Sequence, residues 1–351
     1  MTAAERPSPP ALLAFVLGAL VGGAGMSIGL GSGGGQRARA TPRATEGALP
    51  SDPAAFVPSG VRGVIVADVG RLRAAPALAA LFGAPVAGEP CEAALLRRVR
   101  RIAVAVGGSL DEIGVAFAGD LSGDALLTCA RTRMAPGSTM ERATYRGVEL
   151  TRLAPARSRE LLPPSNVSEI VYLRGGVVLA GTSGMVRRMI DRGLSPGGDD
   201  TVTAGSELQR RIGAGFDATG VAELPSGAGG ASGASDELLD PAMVHVRGVA
   251  AGVRVSDHVE VTALLACDDF DSPRAVADAS TRLRDGLAAQ LRLPALAEPL
   301  RRAQIERRAT DVRITTTVNA DEIDALATVL RALLAPPPEA QTSSSAPPPA
   351  S

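Results

Sequence analysis

Lysine is absent from this 351-residue sequence; every basic side chain is arginine. No Schiff-base, P-loop or kinase-type lysine is therefore available. Aromatic residues make up 2% of the chain, with no Trp and two Tyr, Tyr145 and Tyr172. Single-stranded nucleic acid is gripped by stacking on aromatic faces, and sugar sites use the same kind of contact, so both partner classes are disfavoured. Only His245 and His258 could supply imidazole, a poor basis for zinc coordination or for Ser–His and Cys–His pairs. Cys91, Cys129 and Cys267 are widely spaced, which gives neither a disulfide framework nor a C-x-x-C knuckle. One disulfide plus a free thiol stays open. The net charge of −1 creates no global field toward nucleic acid or an anionic surface.

What the sequence does have is an uncharged run, "ALLAFVLGALVGGAGMSIGL", from Ala11 to Leu30. Its helical length is roughly 30 Å, the hydrocarbon thickness of a bilayer. Pro10 suits a helix start. Ala11, Ala14, Gly18, Gly22, Gly25 and Gly29 fall on one helical face. Gly18/Gly22 and Gly25/Gly29 have the small-xxx-small spacing of close helix approach in lipid. The run predicts an uncleaved transmembrane helix that binds membrane lipid and offers a route to homo-oligomers. Ala38-Arg39-Ala40 has the form of a signal-peptidase site but lies too far beyond the run.

Around this anchor the layout is modular. Residues 1–10 are a polar lead, 31–56 a Gly/Pro/Thr/Arg-rich linker, and 336–351 a Pro/Ser-rich tail that lacks the apolar surface to order itself. A first subdomain is expected over 57–224 and a second over 238–335, separated by the Gly/Ser-rich segment 225–237. Strand runs include 61–69, the hairpin 143–153, the hairpin 169–181 turning at Gly175-Gly176, and paired strands over 243–267. Residues 112–131 read as another hairpin, turning at Leu121-Ser122-Gly123. Helices are expected at "PALAALF", at 91–100, at 182–193 with Met185, Val186, Met189 and Ile190 on one face, at 271–291 with Ser272 as N-cap, and at 319–335. Thr182 or Ser183 would cap the 182–193 helix and Gly193 would stop it. In the last helix Asn319 and Glu322 have capping-box spacing, and Ile323, Leu326, Leu330 and Leu333 form the apolar stripe. Recurring hairpin–helix units predict an α+β fold of antiparallel strands, with a hint of duplication.

Chemistry is sparse. His258 and Glu260 share a strand face and could act as a ligand or acid–base pair, although a wet surface face explains them as well; Val259, Val261 and Cys267 would face the core. Asp268, Asp269 and Asp271 lack the full EF-hand pattern and fit a helix start, where carboxylates meet the partial positive charge. "GAGFDATG" does not match dinucleotide spacing and reads as a loop. "RRVRR" at 97–101 fits a solvated basic face better than a nucleic-acid groove. No cofactor is implied and no catalytic constellation is recognisable.

The anchor, linker and hairpin–helix units resemble, in architecture alone, N-terminally membrane-anchored envelope proteins of GC-rich bacteria. That resemblance implies a single-pass inner-membrane protein with a periplasmic globular part, acting as a non-catalytic binding or assembly module. Arg37, Arg39 and Arg43 pull the other way, since positive residues favour the cytoplasm. A carboxylate-dependent hydrolase or lyase and a cytoplasm-facing regulatory domain are the alternatives.

Overall fold

The computed structural model describes residues 49–79, 91–108, 112–134, 137–154, 168–173, 175–195, 204–224, 241–291 and 294–334. The expected membrane helix with Gly18, Gly22, Gly25 and Gly29 lies outside them, as do the segment 225–237 and the tail. No helix among the described residues is long and apolar enough to cross a membrane.

Twelve strands form one antiparallel sheet: β1 (Gly63–Ala67), β2 (Val99–Val106), β3 (Ile113–Gly119), β4 (Thr139–Tyr145), β5 (Val148–Ala154), β6 (Ser168–Leu173), β7 (Val177–Thr182), β8 (Ala218–Glu223), β9 (Val246–Val255), β10 (Val259–Cys267), β11 (Gln304–Arg307) and β12 (Asp311–Val318). Their spatial order is β11-β12-β10-β9-β8-β1-β2-β3-β7-β6-β5-β4. With its helices, the molecule is α+β. The sheet runs without a break through residues on both sides of 225–237, because β8 pairs with both β1 and β9. Outward from the centre the two directions read alike. The hairpin β2–β3 is followed by a helix, and the chain returns to lay β7 beside β3. The hairpin β9–β10 is followed by helices, and the chain returns to lay β12 beside β10.

Strand alternation sends neighbouring residues to opposite faces. Ala103 and Ala105 of β2 enter one core, and Ile102 enters the other. The helices, in chain order, are α1 (Val69–Ala74), α2 (Cys91–Leu96), α3 (Gly123–Arg133), α4 (Ser183–Leu194), α5 (Ala204–Ile212), α6 (Ser272–Gln290), α7 (Pro294–Arg302) and α8 (Ala320–Leu334). The amphipathic stripe of α4 is buried as expected: Met185, Val186, Met189 and Ile190 are each at most 1% exposed. On the opposite face Ile323 of α8 packs with Ala67, Ile102 and Val259.

Several expectations change. Residues 123–133 form helix α3, not the second arm of a hairpin; Ser122 caps it by accepting from Ala125 N at 3.2 Å. The segment is dominated by Ala, Leu and Arg, good helix formers. Gly193 does not stop α4, which runs to Leu194. A Cβ at Gly193 would lie 2.3 Å from the Phe56 ring, so glycine is there for close approach. Thr182 occupies the N-cap without a side-chain cap bond, and Ser183 is spent elsewhere. The start of α6 is capped by Asp269, whose Oδ1 accepts from Ser272 N at 2.7 Å, rather than by Ser272. The chain folds before Val57: Pro53–Phe56 make a 3-10 turn capped by Asp52, and Phe56 is fully buried.

Candidate functional site

Asp68 ends β1 and caps α1, its Oδ1 accepting from Arg71 N at 2.9 Å. This turn places the Arg71 side chain over Asp217, with Nε 3.0 Å from Oδ1. Asp217 is 4% exposed and lies at the end of the "GAGFDATG" loop, just before β8. Its other oxygen accepts from Val255 N at 2.8 Å, and its carbonyl accepts from Asp68 N at 2.7 Å. One buried carboxylate thus ties the ends of β1, β8 and β9 together.

Beside this tie opens a cleft of about 580 Å³ lined by Asp68, Gly70, Arg71, Arg100, Arg101 and Asp120, with Ala74, Ala118, Gly119 and Gly175. Local backbone geometry makes the space. The β2–β3 register shifts between Val99 and Arg101. There a Cβ on Gly119 would fall 2.1 Å from the Arg98 carbonyl oxygen, so only glycine fits. The basic run 97–101 therefore divides. Val99 is buried, while Arg100 and Arg101 project from the strand end into the cleft.

A second polar cluster lies under α4. Glu169 of β6 is fully buried. Its Oε1 accepts from Ser183 Oγ at 2.9 Å, Arg152 Nε at 3.0 Å and an Arg187 terminal nitrogen at 3.1 Å. Its Oε2 has no partner among the described residues. Arg187 also covers the Tyr145 ring at 5.3 Å, and Tyr145 donates to Asp191 at 3.0 Å. Burial, followed by Asp191, raises the Tyr145 phenol above its ordinary value. Two cations and a hydroxyl on one carboxylate oxygen make a helix-to-sheet clasp.

The sequence-derived candidates separate. His258 Nδ1 meets Asp257 at 2.6 Å, whereas Glu260 pairs with Arg254 at 3.0 Å. The structure does not join them into an acid–base pair. The Ser256 hydroxyl and then the His258 ring hold Asp257 below the usual carboxylate range. Asp268 pairs with Arg247 and sits 4.0 Å from His245. Bonds from the Ser272 hydroxyl and backbone hold Asp269 below its ordinary value. No group of three His, Cys, Asp or Glu residues with metal-holding geometry occurs among the described residues.

Cys91 and Cys129 form a disulfide between α2 and α3, leaving Cys267 as the free thiol. Burial, with Asp268 and Asp269 adding, pushes the Cys267 thiol up to about 11. A neutral thiol of that kind is a packing residue, not a nucleophile. Sequence reasoning missed Asp217 and Glu169. Each is a lone acid in an apolar neighbourhood, and its partners lie on other elements.

No family model matches the chain, and no curated protein matches it. Solved structures of TP0453, a Treponema protein, are distantly similar. Crystal form III aligns with a TM-score of 0.47 and 11% identity, covering 80% of this chain and 98% of that one. Crystal form IV gives 0.43 and 12% identity over 80% and 96%. Crystal form I gives 0.42 and 10% over 80% and 97%. Likeness at this level carries no inference about activity or residues.

Proposed function

We propose that this chain is an extracytoplasmic binding or assembly module of the bacterial envelope, tethered by the 11–30 helix and without catalysis of its own. The observation that carries the location is the Cys91–Cys129 disulfide, since such bonds persist in oxidising compartments and are rare in the cytosol. The chemistry of the described polar clusters supports a structural or binding role: Glu169 and Asp217 are both engaged in ties between elements. The similar outward strand orders on the two sides of the sheet support an ancestral duplication, and the β8–β9 pairing would join the two expected subdomains. Gly18, Gly22, Gly25 and Gly29 would provide self-association in the membrane.

A reporter fused after residue 336 tests the location. Periplasmic activity, with Cys91 and Cys129 protected from alkylation until reduced, is the expected result. A cytoplasmic reporter with both thiols free would replace this reading with the cytoplasm-facing regulatory one. Anchor-free protein recovered from cells would remove the tether. Replacing the four glycines with Leu should weaken self-association in a membrane reporter assay.

A further inference from the structure

We infer that the cleft at the ends of β1, β2 and β3 is a binding site for a phosphate-bearing ligand, an inference that rests on the binding-module reading and gives it a ligand class. Three arginines, Arg71, Arg100 and Arg101, line the cleft. The Arg71 and Arg101 side chains are 67% and 55% exposed, and Arg100 is exposed as well. Each has unspent donors. Arg71 forms an ion pair with the buried Asp217, Nε 3.0 Å from Oδ1, and its side chain makes no hydrogen bond to another described residue. Arg101 approaches Asp52 and Asp68 only to 3.6 and 3.8 Å, beyond hydrogen-bond range. Arg100 is without an ion pair or side-chain hydrogen bond among the described residues.

The lining selects against other ligands. Apart from the charged residues, nothing longer than a methyl group faces the space: Gly70, Ala74, Ala118, Gly119 and Gly175. An apolar or aromatic ligand would meet only methyl groups, glycine backbone and arginine stems. Of the two lining carboxylates, Asp68 caps the helix by accepting from Arg71 N and lies 3.8 Å from Arg101, and Asp120 is the one without such a structural bond among the described residues. Guanidinium forks match phosphate oxygens bidentately, and several of them together favour a multiply charged oxyanion. The volume exceeds that of bare phosphate and suits a small phosphoester, whether a soluble metabolite or the headgroup of an anionic phospholipid.

The test is calorimetric titration of the detergent-solubilised full chain at constant ionic strength. The ligands are inorganic phosphate, glycerol 3-phosphate and dihexanoyl phosphatidylglycerol below its micelle concentration. Saturable binding that weakens with added salt is expected. Arg100→Gln, which breaks no structural contact, should weaken it about tenfold, the loss of one charge-assisted bond. Asp120→Asn should tighten it by about threefold through removal of a like charge. Preference for glycerol 3-phosphate assigns a soluble ligand, and preference for the short-chain lipid assigns a headgroup. The proposal is overturned if none of the three binds saturably, or if both variants, with unchanged melting temperature, bind as the parent does. The reporter fusion is independent of this titration, so failure of one leaves the other standing.

Discussion

Helices α4 and α8 are each tied to the sheet by a carboxylate and arginine, and the two ties differ in kind. At α8 the tie is local. Asn319 Oδ1 accepts from Glu322 N at 3.0 Å, Glu322 Oε2 accepts from Asn319 N at 2.9 Å, and Arg302 adds a bond at 2.7 Å. At α4 the tie is long-range, because Glu169 comes from β6, Arg152 from β5, and Ser183 and Arg187 from the helix. The capping box of the first exists once the helix turns, and Arg302 joins it from α7. The second exists only after two strands and a helix have met. A buried ion without its partners is costly, so the second tie makes correct docking of α4 nearly compulsory.

Substitutions can break this comparison. Glu169→Ala should have the largest effect, lowering stability by about 3–5 kcal/mol as Arg152 and Arg187 lose their shared partner; the urea midpoint measures it. If the midpoint barely moves, α4 is held by its apolar face alone. Next comes the disulfide. Cys91→Ser with Cys129→Ser opens a loop closed across 38 residues, at a cost of about 2–4 kcal/mol. Reduction of the parent protein should reproduce that loss. Gly193→Ala, which drives a methyl into the Phe56 ring, should cost about 1–3 kcal/mol, read from the shift in melting temperature.

The local tie should yield the smallest change. Asn319→Ala should cost about 1 kcal/mol, a cap's ordinary worth. This tie also has a pH signature. Burial alone would raise the Glu322 carboxyl, but Arg302 and the Asn319 amide outweigh it and hold the group below its ordinary value. The lowered folded value means that the contribution is full above the unfolded carboxylate range, about 4.3. It is lost as pH falls through the folded value. Glu322→Gln should therefore be less stable than the parent at pH 7, and the gap should narrow in acid. An unchanged gap would show that the Arg302 contact contributes nothing through charge.

The same contrast explains what the sequence revealed. The capping box, the α4 stripe, the hairpin over 143–153 and the turn at Gly175-Gly176 all depend on residues a few positions apart. The misread segment 123–133 fails for a related reason. Its apolar residues do not separate cleanly by period, and the disulfide partner that orients it lies 38 residues away. Strand β8 was hidden because the glycines before it suggested a loop. Gly213 and Gly215 do adopt positive φ, but they lead into a strand at the centre of the sheet. The cleft was half legible. The arginines at 97–101 stood out as a run, yet Arg71 comes beside two of them only through the turn from β1 into α1, which residue spacing does not show.

Phe56 has a mechanical consequence. The chain enters the fold through a capped turn whose aromatic ring is seated against Gly193 of α4. Tension on the N-terminal extension would therefore arrive at a plug in the core, not at the end of a strand that could unzip one bond at a time. Withdrawing the plug requires the ring to leave its pocket in one step, so a tethered molecule would resist a pull up to a threshold and then yield abruptly.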